Sequence, residues 1–444
     1  MVRSTTNRMI RVQSYAPEGF IALDNSALIY PPTEARYNAN TYRVSMDLKQ
    51  EIQPQILELA LHKTLERCSY ARVSLHKGFF WYYLSPNYKS PVLHEEGSYP
   101  SARISFKNNN GYLFKVLYSN HRIALECFHA LTDGSGALVY LKMIVSEYCR
   151  LSDIADVTFE GSLDFAASPT IQEFSDPFQH FYDKNIPGSP TTGVAYHRKG
   201  TGSYDDRVKV ISAIVDANVL RSRCRKRGYT ITVYLSSILV MAFQEFQKQE
   251  VPQQKKRKPI NLSVPMNLRN IFHFDTMRNF TLFAVPGIEP ALGEYTFEEI
   301  LKKIQLDMGL SQDPKRIRSQ IKRNVGGERH ILMRFAPTAI KNPLFKLLSN
   351  SLGDDLYSAV ISNLGYVKVP EKLESSISRM DFYLCPGQMN KVALAVIGFK
   401  DKVVINFSSF YNTDTSLERF FCRFLVEDGI PVEVSSNRTQ EYKE

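Results

Sequence analysis

The run Phe128-His129-Ala130-Leu131-Thr132-Asp133-Gly134-Ser135-Gly136 constrains this chain more than any other, because two opposite periodicities meet in it. Before it, Arg122 to Phe128 alternates, with Ile123, Leu125 and Cys127 on one face, which predicts a strand. After it, Leu138, Leu141, Ile144, Val145 and Tyr148 recur at helical spacing. The chain must therefore pass from strand to helix through a short polar turn. Gly134 and Gly136 read as the permissive backbone such a turn needs. A histidine at a strand end can point its ring into a cleft. Imidazole titrates near neutral pH, so His129 is well placed for a general base.

The rest of the composition bounds the class. At 444 residues the chain is too long for one ordinary core and suits two. Hydrophobic content of 43% and charged content of 23% describe a globular protein rather than a disordered one. The longest apolar runs, such as Ile238 to Phe243, fall far short of the roughly 20 residues of a membrane span, so no transmembrane segment is expected. Met1 to Arg8 is basic but no apolar stretch follows, so no secretory signal is expected and the cytoplasm is the expected location. The six cysteines are scattered with no C-x-x-C pair, which predicts buried free thiols and no metal site. The formal charge of +10 suits an anionic partner or plain solubility. The basic clusters Arg221–Arg227 and Lys255–Lys258 lack the interleaved aromatics of a nucleic-acid platform, so no nucleic acid is expected.

Both halves use a mixed strand and helix alphabet. In the first, Tyr42–Met46 reads as a strand. A helix starts near Pro54, with Ile56, Leu57, Ala60, Leu61 and Leu65 on one stripe. Phe79–Leu84 and Tyr112–Tyr118 read as further strands. Residues 152–205 are rich in Ser, Asp, Gly and Pro, including Ile186-Pro187-Gly188-Ser189-Pro190, and read as a crossover between units. The predicted division is 1–185 and 186–444. The second half restarts with a strand at Val208–Val215. A helix follows from Asp216 to a stop at Gly228, then a long helix from Thr232, a strand at Ile260–Pro265, a hairpin over Val392–Phe407 and a helix over Leu417–Val426.

Several chemistries find no motif. There is no G-x-S-x-G nucleophile elbow, no G-x-x-x-x-G-K-S/T phosphate loop and no G-x-G-x-x-G after a strand. His121 and His129 are eight apart on different elements, which is no zinc spacing. H-x-x-x-D-G is short, and by itself it also fits a surface turn with Asp133 capping the next helix.

Four stretches, taken in order, resemble the chloramphenicol acetyltransferase-like superfamily of coenzyme A-dependent acyltransferases and condensation domains. His129, Asp133 and Gly134 match its H-x-x-x-D-G turn. Val264-Pro265-Met266-Asn267-Leu268-Arg269, with Met277-Arg278-Asn279-Phe280, is similar to the second-half strand whose arginine pairs with the motif aspartate. Ile361-Ser362-Asn363-Leu364-Gly365 resembles the later asparagine-glycine signature. Leu23-Asp24-Asn25 and Tyr30-Pro31 are similar to a bacterial alcohol acetyltransferase-like branch. Phe128 stands where condensation domains usually carry a second histidine, which favours a stand-alone enzyme, and the plant D-F-G-W-G block is missing.

The resemblance implies an α/β fold of two similar subdomains in a V-shaped pseudo-dimer with a tunnel between them. It implies acyl transfer from an acyl-coenzyme A to the hydroxyl or amine of a small acceptor, with no acyl-enzyme. Coenzyme A thioester enters as co-substrate, and no bound cofactor is implied. His129 would be the general base. Asp133 would hold the turn through Arg269, with Gly134 and Gly365 supporting. Ser362 and Asn363 would either donate to the oxyanion or shape a strand crossing. The competing readings are a carrier-protein-dependent condensation enzyme, with an acyl or peptidyl carrier protein as partner, and a non-catalytic relative that binds a carrier or ligand.

Overall fold

The computed structural model describes residues 19–438, apart from 36–37, 156, 158–163, 190–192, 200–203, 353 and 388–389. The basic stretch Met1–Arg8 and Pro190 lie outside the described residues. The expected strand, turn and helix are all present. Arg122–Phe128 is a strand, and the helix runs Gly134–Leu151. The strand is central in a five-stranded sheet, between Thr41–Leu48 and Phe114–Tyr118. Both its faces are therefore buried, including Ala124 and Glu126. On the helix, Leu141, Ile144, Val145 and Tyr148 are buried as their spacing required. The helix Pro54–Arg67 packs beside it through Leu57, Ala60, Leu61 and Leu65.

The second sheet has eight strands, and its longest path runs through Thr281–Ala284, Ile260–Asn267, Ala359–Tyr366, Val392–Phe399, Lys402–Tyr411, Tyr204–Asp216 and Glu433–Ser436. The strand Val392–Phe399 is apolar at nearly every position, which is the mark of a strand covered on both faces. Its residues divide by the two-residue period. Leu394 and Val396 enter the second core, with the long helix Ile231–Glu250 and the helix Phe297–Ser311. Ala395, Ile397 and Phe399 enter the first core. The second sheet is thus shared. One face packs on its own helices and the other closes against the first half.

Several sequence expectations are revised. The aromatic strand is Tyr82–Pro86 rather than Phe79–Leu84, and Phe79 and Phe80 are exposed at the hairpin tip. One strand crosses the division at residue 185: Ile377–Leu384 pairs antiparallel with Thr41–Leu48 and so completes the first sheet. The crossover after residue 152 is anchored, since Phe178 is fully buried in the second core. Elsewhere the boundaries shift by a few residues. Asp216 caps the helix Ala217–Lys226, and Gly228 ends it with φ +77°. The described cysteines are free, and four of the six are buried.

Candidate active site

His129 stands where the chain leaves its strand, and its N–H donates to the Asn40 carbonyl at 2.9 Å. The ring lies against two tyrosines. Tyr30 stacks on it with centroids 4.8 Å apart and planes at 18°, and Tyr42 tilts against it at 4.4 Å and 48°. Tyr42 is fixed in turn, because its hydroxyl donates to the Thr132 carbonyl at 2.8 Å. The imidazole Nδ1 is buried without a hydrogen-bond partner, while the residue as a whole is half-buried. Nε2 is therefore the nitrogen left to meet a ligand. Burial in this aromatic slot lowers the His129 pKa to about 4, against the opposing charge of Asp133. The imidazole is neutral at physiological pH, which is the form a base requires.

Asp133 spends its carboxylate elsewhere. Oδ1 accepts the Gly136 N–H at 3.0 Å and caps the helix. Oδ2 accepts from Arg269 Nη1 at 2.8 Å, from the Phe280 N–H at 2.8 Å and from Thr281 Oγ1 at 3.0 Å. Burial alone would raise its pKa. Arg269 and the two N–H donors outweigh burial and hold the carboxyl below its usual range.

Arg269 uses every guanidinium nitrogen: Nε donates to the Thr276 carbonyl at 2.8 Å and Nη2 to the Arg278 carbonyl at 2.6 Å. The segment 267–281 thus wraps the turn. Asn267 Nδ2 reaches Ser135 Oγ at 3.1 Å, and Thr132 Oγ1 donates to the Met277 carbonyl at 2.6 Å. The Asn279 amide donates both to the His129 carbonyl at 3.0 Å and to Asp24 Oδ2 at 3.1 Å. Asp24 is fully buried, and burial pushes its pKa up to about 6 in spite of Arg278.

Tyr30, Tyr42, Asp24 and Asn279 form this setting, and sequence patterning assigned none of them a role. They lie far from His129 along the chain, so no spacing signals them. The one available hint was that Asp24, Tyr30 and Asn279 fall within the stretches that carry the family resemblance.

The two motif glycines are required for a different reason than the one expected. Neither has a positive φ. A Cβ on Gly136 would lie 2.0 Å from Thr132 Oγ1 and 3.1 Å from the Met277 carbonyl oxygen, and one on Gly134 would lie 3.1 Å from Leu364 Cδ2. They are room-makers for the two crossing segments. Gly136→Ala is expected to destabilise the protein by about 1–3 kcal/mol, the usual cost of overpacking, measured by denaturant unfolding.

Ser362, Asn363 and Gly365 sit on or beside the crossing of Ala359–Tyr366 past the motif helix. The Asn363 amide donates to Thr232 Oγ1 at 3.0 Å, and its oxygen accepts the Gly365 N–H at 2.8 Å, where Gly365 has φ +74°. Ser362 is a buried strand residue paired with Ala395. Among the described residues no hydrogen bond joins either side chain to His129. A cavity of about 470 Å³ is lined by Leu23, Leu28, Trp81, Tyr83 and Glu328, and His129 does not line it. Among the described residues no group of three His, Cys, Asp or Glu side chains is placed to hold a metal ion.

Comparison with solved structures decides the fold. TRI101 of Fusarium sporotrichioides, complexed with coenzyme A and T-2, superposes with a TM-score of 0.62 at 10% identity, over 94% of this chain and 99% of that one. The chain has the chloramphenicol acetyltransferase-like fold. The epimerization domain from the third module of tyrocidine synthetase B matches with a TM-score of 0.59 at 11% identity, over 94% of this chain and 97% of that one. A starter condensation domain of rhizomide synthetase in complex with C8-CoA matches with a TM-score of 0.54 at 13% identity, over 93% and 98%. No family model matches the chain, and no curated protein matches it. The fold therefore rests on tertiary structure, with two subdomains as in these neighbours.

Proposed function

We propose that the chain is an acyltransferase that moves an acyl group from a coenzyme A thioester to the hydroxyl or amine of a small acceptor. The observation that carries this reading is the neutral His129 imidazole, held between Tyr30 and Tyr42 with Nε2 free, on a turn clamped by the other half of the chain. Structural neighbours crystallised with coenzyme A support the choice of donor.

In the proposed reaction the acceptor oxygen or nitrogen attacks the thioester carbonyl carbon as His129 Nε2 takes its proton. The tetrahedral intermediate collapses, the C–S bond breaks and the coenzyme A sulfur takes the proton back from the imidazolium. No covalent acyl-enzyme forms, in keeping with the absence of a nucleophile elbow. Asp133 and Arg269 act as positioning residues. They fix the start of the motif helix and thereby the backbone that carries the ring. The bacterial alcohol acetyltransferase-like branch is the favoured placement, on the stretches containing Asp24 and Tyr30.

The test is thiol release from acetyl-CoA and longer acyl-CoAs against a pool of alcohols and amines. Release that depends on both donor and acceptor is the expected result. No release with any donor, together with capture of an acylated carrier protein, would replace this reading with carrier-dependent condensation. A second expectation concerns pH. Because burial lowers the His129 pKa to about 4, kcat/KM should stay level down through the ordinary histidine range near 6.5 and fall only as pH approaches 4. An acid limb centred near 6.5 would contradict the buried neutral base.

A further inference from the structure

Between Asp313 and Asp354 the chain carries nine lysines and arginines and a single acid, Glu328. The stretch folds as the helices Pro314–Arg329, Ile331–Phe335 and Thr338–Leu352. The first is an ordinary amphipathic helix that buries Ile317, Ile321 and Val325. The next two leave large apolar side chains standing in solvent: Leu332 is 74% exposed, Ile331 66%, Leu347 64%, Ile340 62% and Phe335 59%. The hairpin tip adds Phe79, at 70%.

Tip and helices form one continuous surface. The Thr338 N–H donates to the Phe79 carbonyl at 2.8 Å, and Thr338 Oγ1 to the Gly78 carbonyl at 3.1 Å. The buried Lys341 ammonium donates to the Phe80 carbonyl at 2.8 Å, and the Phe80 and Phe335 rings lie 6.4 Å apart edge to face. Arg334 and Lys346 are exposed among these apolar residues, and Lys315, Arg318 and Arg329 are exposed on the adjoining helix. Burying none of these side chains wastes apolar area that a folded chain ordinarily covers, so the face is built to be covered.

We propose that this face docks the protein on an anionic phospholipid surface, with Leu332, Phe335, Ile340 and Phe79 entering the interfacial layer and Arg334 and Lys346 meeting lipid phosphates. Charge complementarity selects this occupant: a dense cationic stretch with one acid is attracted by an anionic leaflet, and cations set among apolar tips are the pattern of interfacial helices. A second copy is disfavoured, because a two-fold contact would bring the same cations face to face. Among the described residues no single helix is long and apolar enough to cross a membrane, and the bent pair Ala217–Lys226 and Ile231–Glu250 buries Leu235, Ile238 and Leu239 in the core. The contact proposed is peripheral.

Flotation of the full chain with phosphatidylcholine vesicles, with and without phosphatidylglycerol, tests it. Binding is expected with phosphatidylglycerol only, weakening as salt rises. Arg334→Gln and Lys346→Gln should each weaken it roughly fivefold, the effect of about 1 kcal/mol per interfacial cation. Leu332→Ser combined with Phe335→Ser should weaken it by at least about a hundredfold, since each apolar side chain buried contributes at least about 1.5 kcal/mol. All four positions are exposed, so the melting temperature should not move. Equal binding to both vesicles, binding to neither, or unchanged binding of the Leu332/Phe335 variant would overturn the proposal. So would light scattering that shows a dimer which the same variant dissociates. None of these readouts depends on acyl transfer.

Discussion

His129→Ala is expected to lower thiol release from acyl-CoA by about two to four orders of magnitude, the usual contribution of a positioned general base. The fold should persist, because the ring supports no part of the hydrogen-bond network: its Nδ1 has no partner, and the turn is held by backbone and by Asp133. Unchanged turnover would sink the base assignment. The variant also separates chemistry from stability through pH. In the folded wild type the His129 pKa is about 4, below its ordinary value of 6.5. Below pH 6.5 the unfolded chain binds a proton that the folded chain does not, so wild-type stability falls as pH drops from about 6.5 toward 4. The alanine variant lacks that term. The two denaturant midpoints should therefore converge or cross in the variant's favour on acidification, and a constant gap would contradict a buried neutral imidazole.

Asp133→Ala is expected to cost about 3–5 kcal/mol of stability together with activity. It removes the helix cap and leaves Arg269, the Phe280 N–H and Thr281 Oγ1 without their common acceptor. The stranded guanidinium is the largest part, since it is mostly buried with its other bonds directed at carbonyls. A double-mutant cycle with Arg269→Ala should show strong coupling, because removing both partners leaves less uncompensated charge than removing one. Loss of activity at full stability would instead place Asp133 in the chemistry itself. The Arg269 variant gives the control, since a purely positioning pair should depress kcat in both single variants by similar factors.

The local order of the fold was legible where one periodicity rules one element. The strand Arg122–Phe128, the helix Gly134–Leu151, the long helix Ile231–Glu250 and the hairpin over Val392–Tyr411 all follow from apolar spacing and from caps such as Asp133 and Asp216. The hairpin tip departs from the expected strand because Phe79 and Phe80 carry strand-forming side chains but are turned to solvent. Hydrophobicity there records a surface, and local pattern cannot tell a surface from a core. The helices between Phe297 and Leu352 drew no expectation from patterning: the first two bury an ordinary apolar stripe, whereas Ile331–Phe335 and Thr338–Leu352 leave much of their apolar content exposed.

Sequence by itself determined that His129 sits between a strand and a helix, that Asp133 can cap that helix, and that no nucleophile motif accompanies them. These are properties of neighbouring residues, and the chain enforces them at short range. Tertiary structure alone decided what surrounds the imidazole. Tyr30 and Tyr42 reach it from about ninety to a hundred positions upstream, a separation across which no local rule sets contact. It also decided that Ile377–Leu384 completes the first sheet and that alternate residues of Val392–Phe399 serve different cores. A uniformly apolar strand states that both its faces are covered but not by what. The neutral state of His129 belongs to the same class, because it is set by desolvation, which exists only once Tyr30 and Tyr42 have packed on the ring.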